Sequence, residues 1–374
     1  MLVRALLAVF CFSLAAQEDP SAAIPRLIAS GNTSYLQGDY SAAYESFSHA
    51  WDLAQQLAPE SPLRYDVLKR LTAVRTAQGN FEDADNYLRS AILWRENTLQ
   101  PSDAAMAQDI LLEADLQRAM KDYGRAYIAL TRVLAIHAKA SGFDSTVVAD
   151  DYSRLAQVQL EQQKVPDAIS SLNQALQIRT KLAGPLDYSL TPDLDKLGSV
   201  YIAERAYENA EATYRHALVI RESLFGKEHP DLISTVDGLA YACFGQKKYD
   251  EAEPMYQRLI ALWIKSTNET HPMVAIALDK VSIFYAEQKK YDLAKQYAER
   301  ANAIRAFVLA DGLSHEASEA FEAEDKETVR SSYQRAIKVL DPPNPVYDNM
   351  RVGLEAMMKS LDKLEPKKPS GKKK

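Results

Sequence analysis

Apolar side chains recur along this chain at three- and four-residue spacing, the pattern of amphipathic helices. Residues 231–266 show this pattern twice, with a polar segment at residues 246–248 between the two stripes. The first stripe consists of Val236, Leu239, Ala240 and Cys243. The second stripe consists of Tyr249, Ala252, Tyr256, Leu259 and Trp263. Each stripe predicts one buried helix face, so the segment is predicted to form two antiparallel helices joined by a short turn.

One alanine of the second stripe recurs along the chain, and an aromatic or apolar residue stands three places before it. The seven pairs are Tyr40/Ala43, Phe81/Ala84, Tyr123/Ala126, Val165/Ala168, Tyr207/Ala210, Tyr249/Ala252 and Tyr291/Ala294. The first step between these marker alanines is 41 residues and each later step is 42 residues. A period in this range predicts a stack of repeated helical units rather than one wrapped core.

Other positions keep a fixed distance from each marker alanine. Mostly small residues stand twelve places before it: Gly31, Thr72, Ala114, Ala156, Gly198, Ala240 and Ser282. Seven places after it stand Ala50, Ala91, Val133, Ala175, Ala217, Leu259 and Ala301. Small side chains at these places allow helix axes to approach at the near end of the usual range of about 8–10 Å. Larger residues four places after the markers, such as Tyr214 and Tyr256, are predicted to fill the core.

This order of small residue, aromatic residue, alanine, large residue and small residue resembles the tetratricopeptide repeat. The 42-residue period and loops such as residues 220–231 are similar to the longer repeats of the kinesin light chain type, and the resemblance covers residues 24–309 as seven helix pairs. It implies an all-α fold, a right-handed superhelical solenoid of antiparallel helix pairs. It also implies a concave groove, lined mostly by the first helix of each pair, that binds a peptide or a partner protein.

The pattern continues in a weaker form towards the C-terminus. Residues 310–341 are predicted to form a degenerate eighth repeat, and the proline-rich segment that begins at Asp341 ends it. Residues 345–364 carry one more amphipathic stripe and are predicted to form a capping helix, because a terminal unit must show water a polar face. Residues 365–374 are predicted to be a disordered basic tail.

The N-terminal residues 1–16 have the layout of a secretory signal peptide: one arginine, an apolar run and small residues before a polar segment. The alternatives are a short buried helix or an uncleaved anchor, but the run is shorter than the ~20 residues of a membrane span. We expect cleavage after Ala15 or Ala16 and a secreted or periplasmic location. Cleavage removes Cys11 and leaves Cys243 as the only thiol, so the mature chain is predicted to lack an internal disulfide.

The net charge and the apolar content of the chain argue against binding to nucleic acid and against a membrane span in the mature chain. The 374 residues carry a formal net charge of −7, which argues against bulk binding to nucleic acid. After the N-terminal segment, no stretch of the sequence has the length and apolar character of a membrane span, so we predict no integral membrane segment after signal cleavage. Only 13 glycines and 47% hydrophobic residues suit an all-helical protein.

Charged residues near the small positions of the first helices are the candidate binding site. Four basic residues stand two places before a small position: Arg70, Arg154, Lys196 and Lys280. Lys69, Asp195 and Asp279 directly precede three of these basic residues. Asp237 stands at the same position in a repeat that has a glycine instead of the basic residue. By the resemblance both positions face the groove, where they would form a mixed-charge surface that grips a peptide. The alternative is a ladder of ion pairs between adjacent first helices, for example Lys196 with Asp237, each contributing about 0–1 kcal/mol.

Catalytic and metal-binding signatures are missing from the sequence. It contains no nucleophile elbow, phosphate loop, dinucleotide fingerprint or HExxH pair. His229 and His271 each precede a proline that suits a first helical turn, and they are interpreted as loop residues. Cys243 lies on an apolar stripe and is interpreted as a buried small hydrophobe. We therefore predict no catalytic residue, no cofactor-binding residue and no metal site.

A second set of basic residues recurs eleven places after the markers. It consists of Arg95, Arg179, Arg221 and Arg305. These residues lie near predicted helix C-termini, where compensation of the helix dipole is a sufficient explanation.

The predicted function is a non-enzymatic protein-protein interaction scaffold outside the cytoplasm. The main alternative is a structural cell-envelope component that self-associates or attaches to a surface through its C-terminal helix and lysine-rich tail. A third hypothesis is a degenerate hydrolase or an enzyme-regulating subunit.

Overall fold

The computed structural model describes residues 19–98, 104–323 and 325–364. Every regular element in these ranges is helical, which confirms the all-α prediction for them. The α-helices are α1 (Pro20–Leu36), α2 (Tyr40–Ala54), α3 (Pro62–Ala77), α4 (Phe81–Thr98), α5 (Ala104–Ala119), α6 (Tyr123–Ser141), α7 (Thr146–Glu161), α8 (Val165–Ala183), α9 (Thr191–Ala203), α10 (Tyr207–Phe225), α11 (Ile233–Gly245), α12 (Tyr249–Ser266), α13 (Pro272–Glu287), α14 (Tyr291–Glu322), α15 (Lys326–Val339) and α16 (Asp348–Leu364). The predicted signal peptide and basic tail lie outside the described ranges.

The helices form two compact units, one ending at Pro185 and the other beginning at Leu186. In the N-terminal unit α1 packs on α2, α3 on α4, α5 on α6 and α7 on α8, and each second helix also packs on the next first helix. In the C-terminal unit the pairs are α9 with α10, α11 with α12 and α13 with α14. Helix α15 then packs on α14, and α16 packs on α15. Each unit is therefore a solenoid of successive helix pairs.

Each second helix begins at the aromatic or apolar residue of a marker pair, because a tight turn precedes it. Five places before each marker alanine, the chain adopts a left-handed backbone conformation. Glycine provides it at Gly38 and Gly79, where a positive φ costs little. The same conformation is adopted by Lys121, Gln163, Arg205, Lys247 and Lys289, with φ between 57° and 62°. Asp39 and Asp122 then cap α2 and α6 by accepting hydrogen bonds from backbone N–H groups of the first turn.

The marker alanines lie at the centre of the helix pairs. Six of them are fully buried, and Ala294 is 7% exposed. The large residues four places later are buried as well, among them Phe47 and Tyr256. Each such side chain stabilises the fold by about 1.5–3 kcal/mol relative to an exposed one. The marker spacing therefore follows from helix packing.

Two glycines allow a tyrosine to lie between successive first helices. A Cβ at Gly198 would lie 2.7 Å from the ring of Tyr214, and a Cβ at Gly238 would lie 2.3 Å from it. The tyrosine is 6% exposed. Burial raises its pKa to about 12, and the nearby Asp195 and Asp237 act in the same direction. Helices α9 and α11 can therefore approach with an aromatic ring between them.

The last regular repeat does not end in a turn. Helix α14 continues for 32 residues, so the predicted boundary between residues 309 and 310 lies inside one helix. Helix α15 folds back on its second half, and a core cluster that includes Ala310, Leu340 and Leu354 joins α14, α15 and α16. Leu354 and Leu361 of α16 are thus buried within the fold, whereas Met357 is 51% exposed. No helix in the described ranges has both the length and the apolar character needed to cross a bilayer.

Candidate functional site

An exposed row of side chains follows the first helices of the C-terminal unit. On α13, Ile276, Lys280 and Ile283 are four and three residues apart, so they share one helix face. Ile276 is 45% exposed and Ile283 is 61% exposed. Tyr241 occupies on α11 the position that Ile283 occupies on α13, and Lys196 occupies on α9 that of Lys280. These five residues are called the first-helix face below.

A cleft of about 650 Å³ opens on this face between α11, α12 and α13. It is called the inner cleft. Leu259 and Trp263 of α12 line it, together with Ile276 of α13. Lys280 and Asp237 lie at the same cleft, with Lys280 Nζ 2.6 Å from Asp237 Oδ1. The inner cleft therefore combines an apolar lining with one partly exposed ion pair.

The predicted acidic groove residues of α9 and α13 are held by arginines. Arg221 donates to both carboxylate oxygens of Asp195, at 2.9 and 2.7 Å, and Thr235 donates to the same carboxylate at 3.1 Å. The side chain of Arg221 is only 8% exposed. Arg305 forms the equivalent ion pair with Asp279. Compensation of the helix dipole is thus an incomplete explanation for these arginines, since each also ties a second helix to its own first helix.

In the N-terminal unit the three predicted groove residues also have ionic partners. Lys69 Nζ lies 2.7 Å from Asp109. Arg70 lies 3.2 Å from Asp66 on its own helix. Arg154 lies 3.8 Å from Asp151, also on its own helix.

The predicted ladder of ion pairs forms only in part. Asp237 connects α11 to α13 through Lys280, so the expected pair of Lys196 with Asp237 is wrong. Asp237 lies at the cleft between α11 and α13, and that position brings it to Lys280 instead. Lys196 makes no ion pair with any residue in the described ranges. Among the predicted groove residues, Lys196 is therefore the one without an ion-pair partner in the described ranges.

A series of buried carboxylates was not recognised in the sequence. Asp109, Asp151 and Asp193 stand at the same position of three first helices and are 2%, 0% and 4% exposed. Asp109 accepts hydrogen bonds from Tyr65, Lys69 and Arg95, at 2.9, 2.7 and 2.7 Å.

His137 takes the place of Arg95 one repeat later. Its Nδ1 lies 2.7 Å from Asp151, and burial raises the pKa of that carboxyl. Both basic residues stand 14 positions before their acid. Aligning the repeats with each other would have shown this constant spacing. The pairs join one repeat to the next and lie too deep to contact a partner.

One group has the composition of a metal site. Ligand atoms of Glu211, Cys243 and Glu251 all lie within 4.8 Å of one another. Arg215 bonds to both carboxylates, however, and Lys248 Nζ lies 2.7 Å from Glu211. Burial tends to raise the pKa of Glu211, but hydrogen bonds from Lys248, Arg215 and Gln246 outweigh it and lower the pKa to about 2. The carboxylates are thus already bound to cations, and the arrangement reads as an ion-pair network.

Cys243 is predicted to be unreactive in the folded protein. It is fully buried, and burial, followed by the charge of Glu211, raises its pKa to about 11. Because the thiolate is the reactive form, the native thiol should react with iodoacetamide at pH 8 at least about 100-fold more slowly than the unfolded one. The measurement uses the Cys11→Ser variant, with and without denaturant. Equal rates in both conditions would contradict the buried position.

The comparisons with known families identify repeats in the C-terminal unit. The model of the tetratricopeptide repeat family matches residues 190–257 and residues 232–306. The matched region includes α9 to α13 and the first-helix face. No curated protein matches the chain in sequence.

Several solved structures are similar to this chain. The crystal structure of BtubC from P. vanneervenii is 22% identical, covers 65% of this chain and 92% of its own, and has a TM-score of 0.49. A kinesin light chain structure from Podosopora anserina with nearly identical TPR-like repeats is 19% identical, covers 56% and 99%, and has a TM-score of 0.48. A tetratricopeptide repeat protein from Parabacteroides merdae is 16% identical, covers 91% and 99%, and has a TM-score of 0.37.

Proposed function

We propose that this protein is a non-enzymatic interaction scaffold that binds a peptide or protein partner on the first-helix face of its C-terminal unit. The tetratricopeptide repeats at residues 190–306 support this proposal, because such repeats typically serve protein-protein interaction. The observation that carries it is the first-helix face, with Tyr241, Ile276 and Ile283 exposed and with the inner cleft at Ile276 and Lys280. A groove of this kind binds a partner by burying apolar side chains and pairing a few charges.

The charges of the face indicate the chemistry of the partner segment. Lys196 has no ionic partner within the described residues, so it can receive a carboxylate without breaking an existing pair. The pair of Lys280 with Asp237 is 37% and 32% exposed in its side chains. Pairs this exposed contribute only about 0–1 kcal/mol, so a partner can displace them at little cost. The expected segment carries an apolar side chain for the inner cleft and at least one acidic residue.

We further propose that the protein acts outside the cytoplasm. The support is the signal-like layout of residues 1–16. N-terminal sequencing of the secreted or periplasmic protein tests this point, and a mature chain that still begins at Met1 would contradict it.

Charge reversal on the first-helix face should abolish partner capture without unfolding the protein. The test variant combines Lys196→Glu with Ile283→Glu, since the first reverses an unpaired charge and the second places a charge where apolar contact is expected. Affinity capture from an extracytoplasmic extract, followed by mass spectrometry, compares the variant with the natural chain. The change in melting temperature should be small, because Ile283 is exposed and the half-buried Lys196 makes no ion pair in the described ranges, and such surface substitutions usually alter stability by about 0.5 kcal/mol or less.

The matched control is Val219→Glu on α10, a second-helix residue that is 53% exposed. It introduces the same charge on an exposed apolar position away from the first-helix face. The control should retain the captured proteins. If the double variant also retains them, the proposed binding face is wrong.

A further inference from the structure

A second cleft lies one repeat beyond the inner cleft, and it has a volume of about 520 Å³. It is called the end cleft. Five of its lining residues stand 42 positions after lining residues of the inner cleft. The equivalent pairs are Pro230/Pro272, Ser234/Ile276, Trp263/Arg305, Ser266/Val308 and Thr267/Leu309. The two clefts are therefore the same place in successive repeats.

The end cleft lacks one wall that the inner cleft possesses. In the inner cleft, the following first helix, α13, forms that wall through Met273, Ile276 and Lys280. At the end cleft the lining residues belong only to α13 and α14, because α14 continues as one helix past Leu309 and its own Gly312 and Leu313 complete the lining. Ile276, Val308 and Leu309 are consequently 45%, 38% and 54% exposed. An apolar surface that is covered by a helix elsewhere in the unit is left open here.

Two arginines at equivalent positions, Arg221 and Arg305, differ in their hydrogen-bond partners. Arg221 bonds to Asp195 on its own first helix and to Thr235 on the next first helix. Arg305 has the counterpart of the first partner, Asp279, but its second hydrogen bond goes to Asn302 on its own helix instead of to a following first helix. Its side chain is 48% exposed, against 8% for Arg221.

Earlier repeats show which residue type belongs at the missing position. Arg95 bonds to Asp109 of the next first helix, and His137 bonds to Asp151 in the same way. Thr235 holds this position for Arg221. A helix that completes the end cleft should therefore carry an acidic or hydroxyl side chain opposite Arg305.

We propose that the end cleft binds an amphipathic helix of a partner protein, which docks there as an additional first helix. Its apolar side covers Ile276, Val308 and Leu309, and an acidic residue near its start bonds to Arg305. A second copy of this chain fits less well. If its first helix α1 docked at the end cleft, Arg26 would face Arg305, because Arg26 stands at the position that Asp109 occupies in α5. Like charges at such a contact oppose binding. This site goes beyond the proposed function: it shares Ile276 with the first-helix face, but Lys196 and Ile283 do not line the end cleft.

The test uses a probe taken from the protein itself. A peptide with the sequence of α5, residues Ala104–Ala119, contains the acid that pairs with Arg95 in the N-terminal unit. It is held helical by a side-chain lactam on its polar side, because a free peptide of this length is only marginally helical. Fluorescence anisotropy measures its binding to the full chain. Arg305→Glu and Leu309→Asp should each weaken binding at least about tenfold, which corresponds to about 1.4 kcal/mol.

A charge swap distinguishes the end cleft from other surfaces. The peptide with Asp109→Lys should bind poorly to the natural protein and should regain affinity for the Arg305→Glu variant. Lys196→Glu should leave peptide binding unchanged. Absence of saturable binding would overturn the proposal, and so would loss of binding in Lys196→Glu alone, which would place the helix on the first-helix face. Self-association that Leu309→Asp abolishes would identify a second copy as the occupant and overturn the partner assignment.

Discussion

Replacing Asp109 by alanine is expected to lower the free energy of unfolding of the N-terminal unit by about 3–5 kcal/mol. The carboxylate is 2% exposed and accepts hydrogen bonds from Tyr65, Lys69 and Arg95. Arg95 is itself only 13% exposed in its side chain. Removing the acid therefore leaves two cations near each other without their anion, and one of them is largely buried. Breaking a buried pair in this way costs far more than the intact pair contributes.

Asp115→Ala is the matched control, since Asp115 lies on the same helix but its side chain is 71% exposed. Its effect should stay below about 1 kcal/mol. Because repeat arrays need not unfold in one step, hydrogen exchange of α3, α4 and α5 should accompany chemical denaturation followed by circular dichroism. Equal effects of Asp109→Ala and Asp115→Ala would show that the buried network does not hold these helices together.

A second variant tests whether the loss of stability comes from the uncompensated charges or from lost packing. Replacing Lys69, Arg95 and Asp109 together by apolar residues of similar size removes all three charges at once. Such replacements are often neutral or stabilising in buried ion-pair networks. The triple variant should therefore be more stable than Asp109→Ala alone. A triple variant as unstable as the single one would mean that packing, rather than the uncompensated charge, causes the loss.

The helix pairs could be predicted from the sequence because their packing repeats. Ala210 and Ala252 stand at the same position of successive helix pairs, and both are fully buried. The aromatic residue three places earlier begins the second helix each time, as Tyr207 and Tyr249 do. These packing requirements are local to each helix pair, so the residues that meet them recur at constant spacing in the sequence.

The partners of the charged residues could not be predicted in the same way. Asp237 has a lysine one repeat before it and another one repeat after it, and the sequence spacing is nearly the same in both directions. The structure pairs it with Lys280 because Asp237 lies on the α13 side of α11. Which neighbouring helix a residue faces depends on the rotation of its helix in the packed array, which the sequence spacing does not specify.

The repeat pattern also does not predict how the array ends. The spacings continue weakly from Ala294 to Ala336 and predict another helix pair. The segment around Leu309 and Gly312 nevertheless lacks a tight turn, and Gly312 keeps a helical backbone. Val329 stands at the marker position of this weaker repeat, 35 residues after Ala294, so the interval is seven residues shorter than the usual period and leaves little chain for a loop. The open end cleft is a direct consequence of that missing turn.

Replacing Ala252 by phenylalanine is expected to destabilise the C-terminal unit by about 1–3 kcal/mol. Ala252 is fully buried where α12 meets α11, in the cluster that contains Tyr256 and Leu278. A benzyl group at this place can be accommodated only by moving the helices apart or by forcing neighbouring side chains from their preferred rotamers. Either change loses the close packing on which the repeat depends.

The control for this overpacking is Ala261→Phe on the same helix, where the alanine is exposed. It adds the same side chain to the same helix, so differences in helix propensity cancel between the two variants. Thermal unfolding followed by circular dichroism should show a lower midpoint for Ala252→Phe and little change for Ala261→Phe. An unchanged midpoint for Ala252→Phe would contradict the packing role of the marker alanines. Since the same position recurs as Ala210 and Ala294, the variants Ala210→Phe and Ala294→Phe extend the measurement along the unit, with the smaller effect expected at the 7% exposed Ala294.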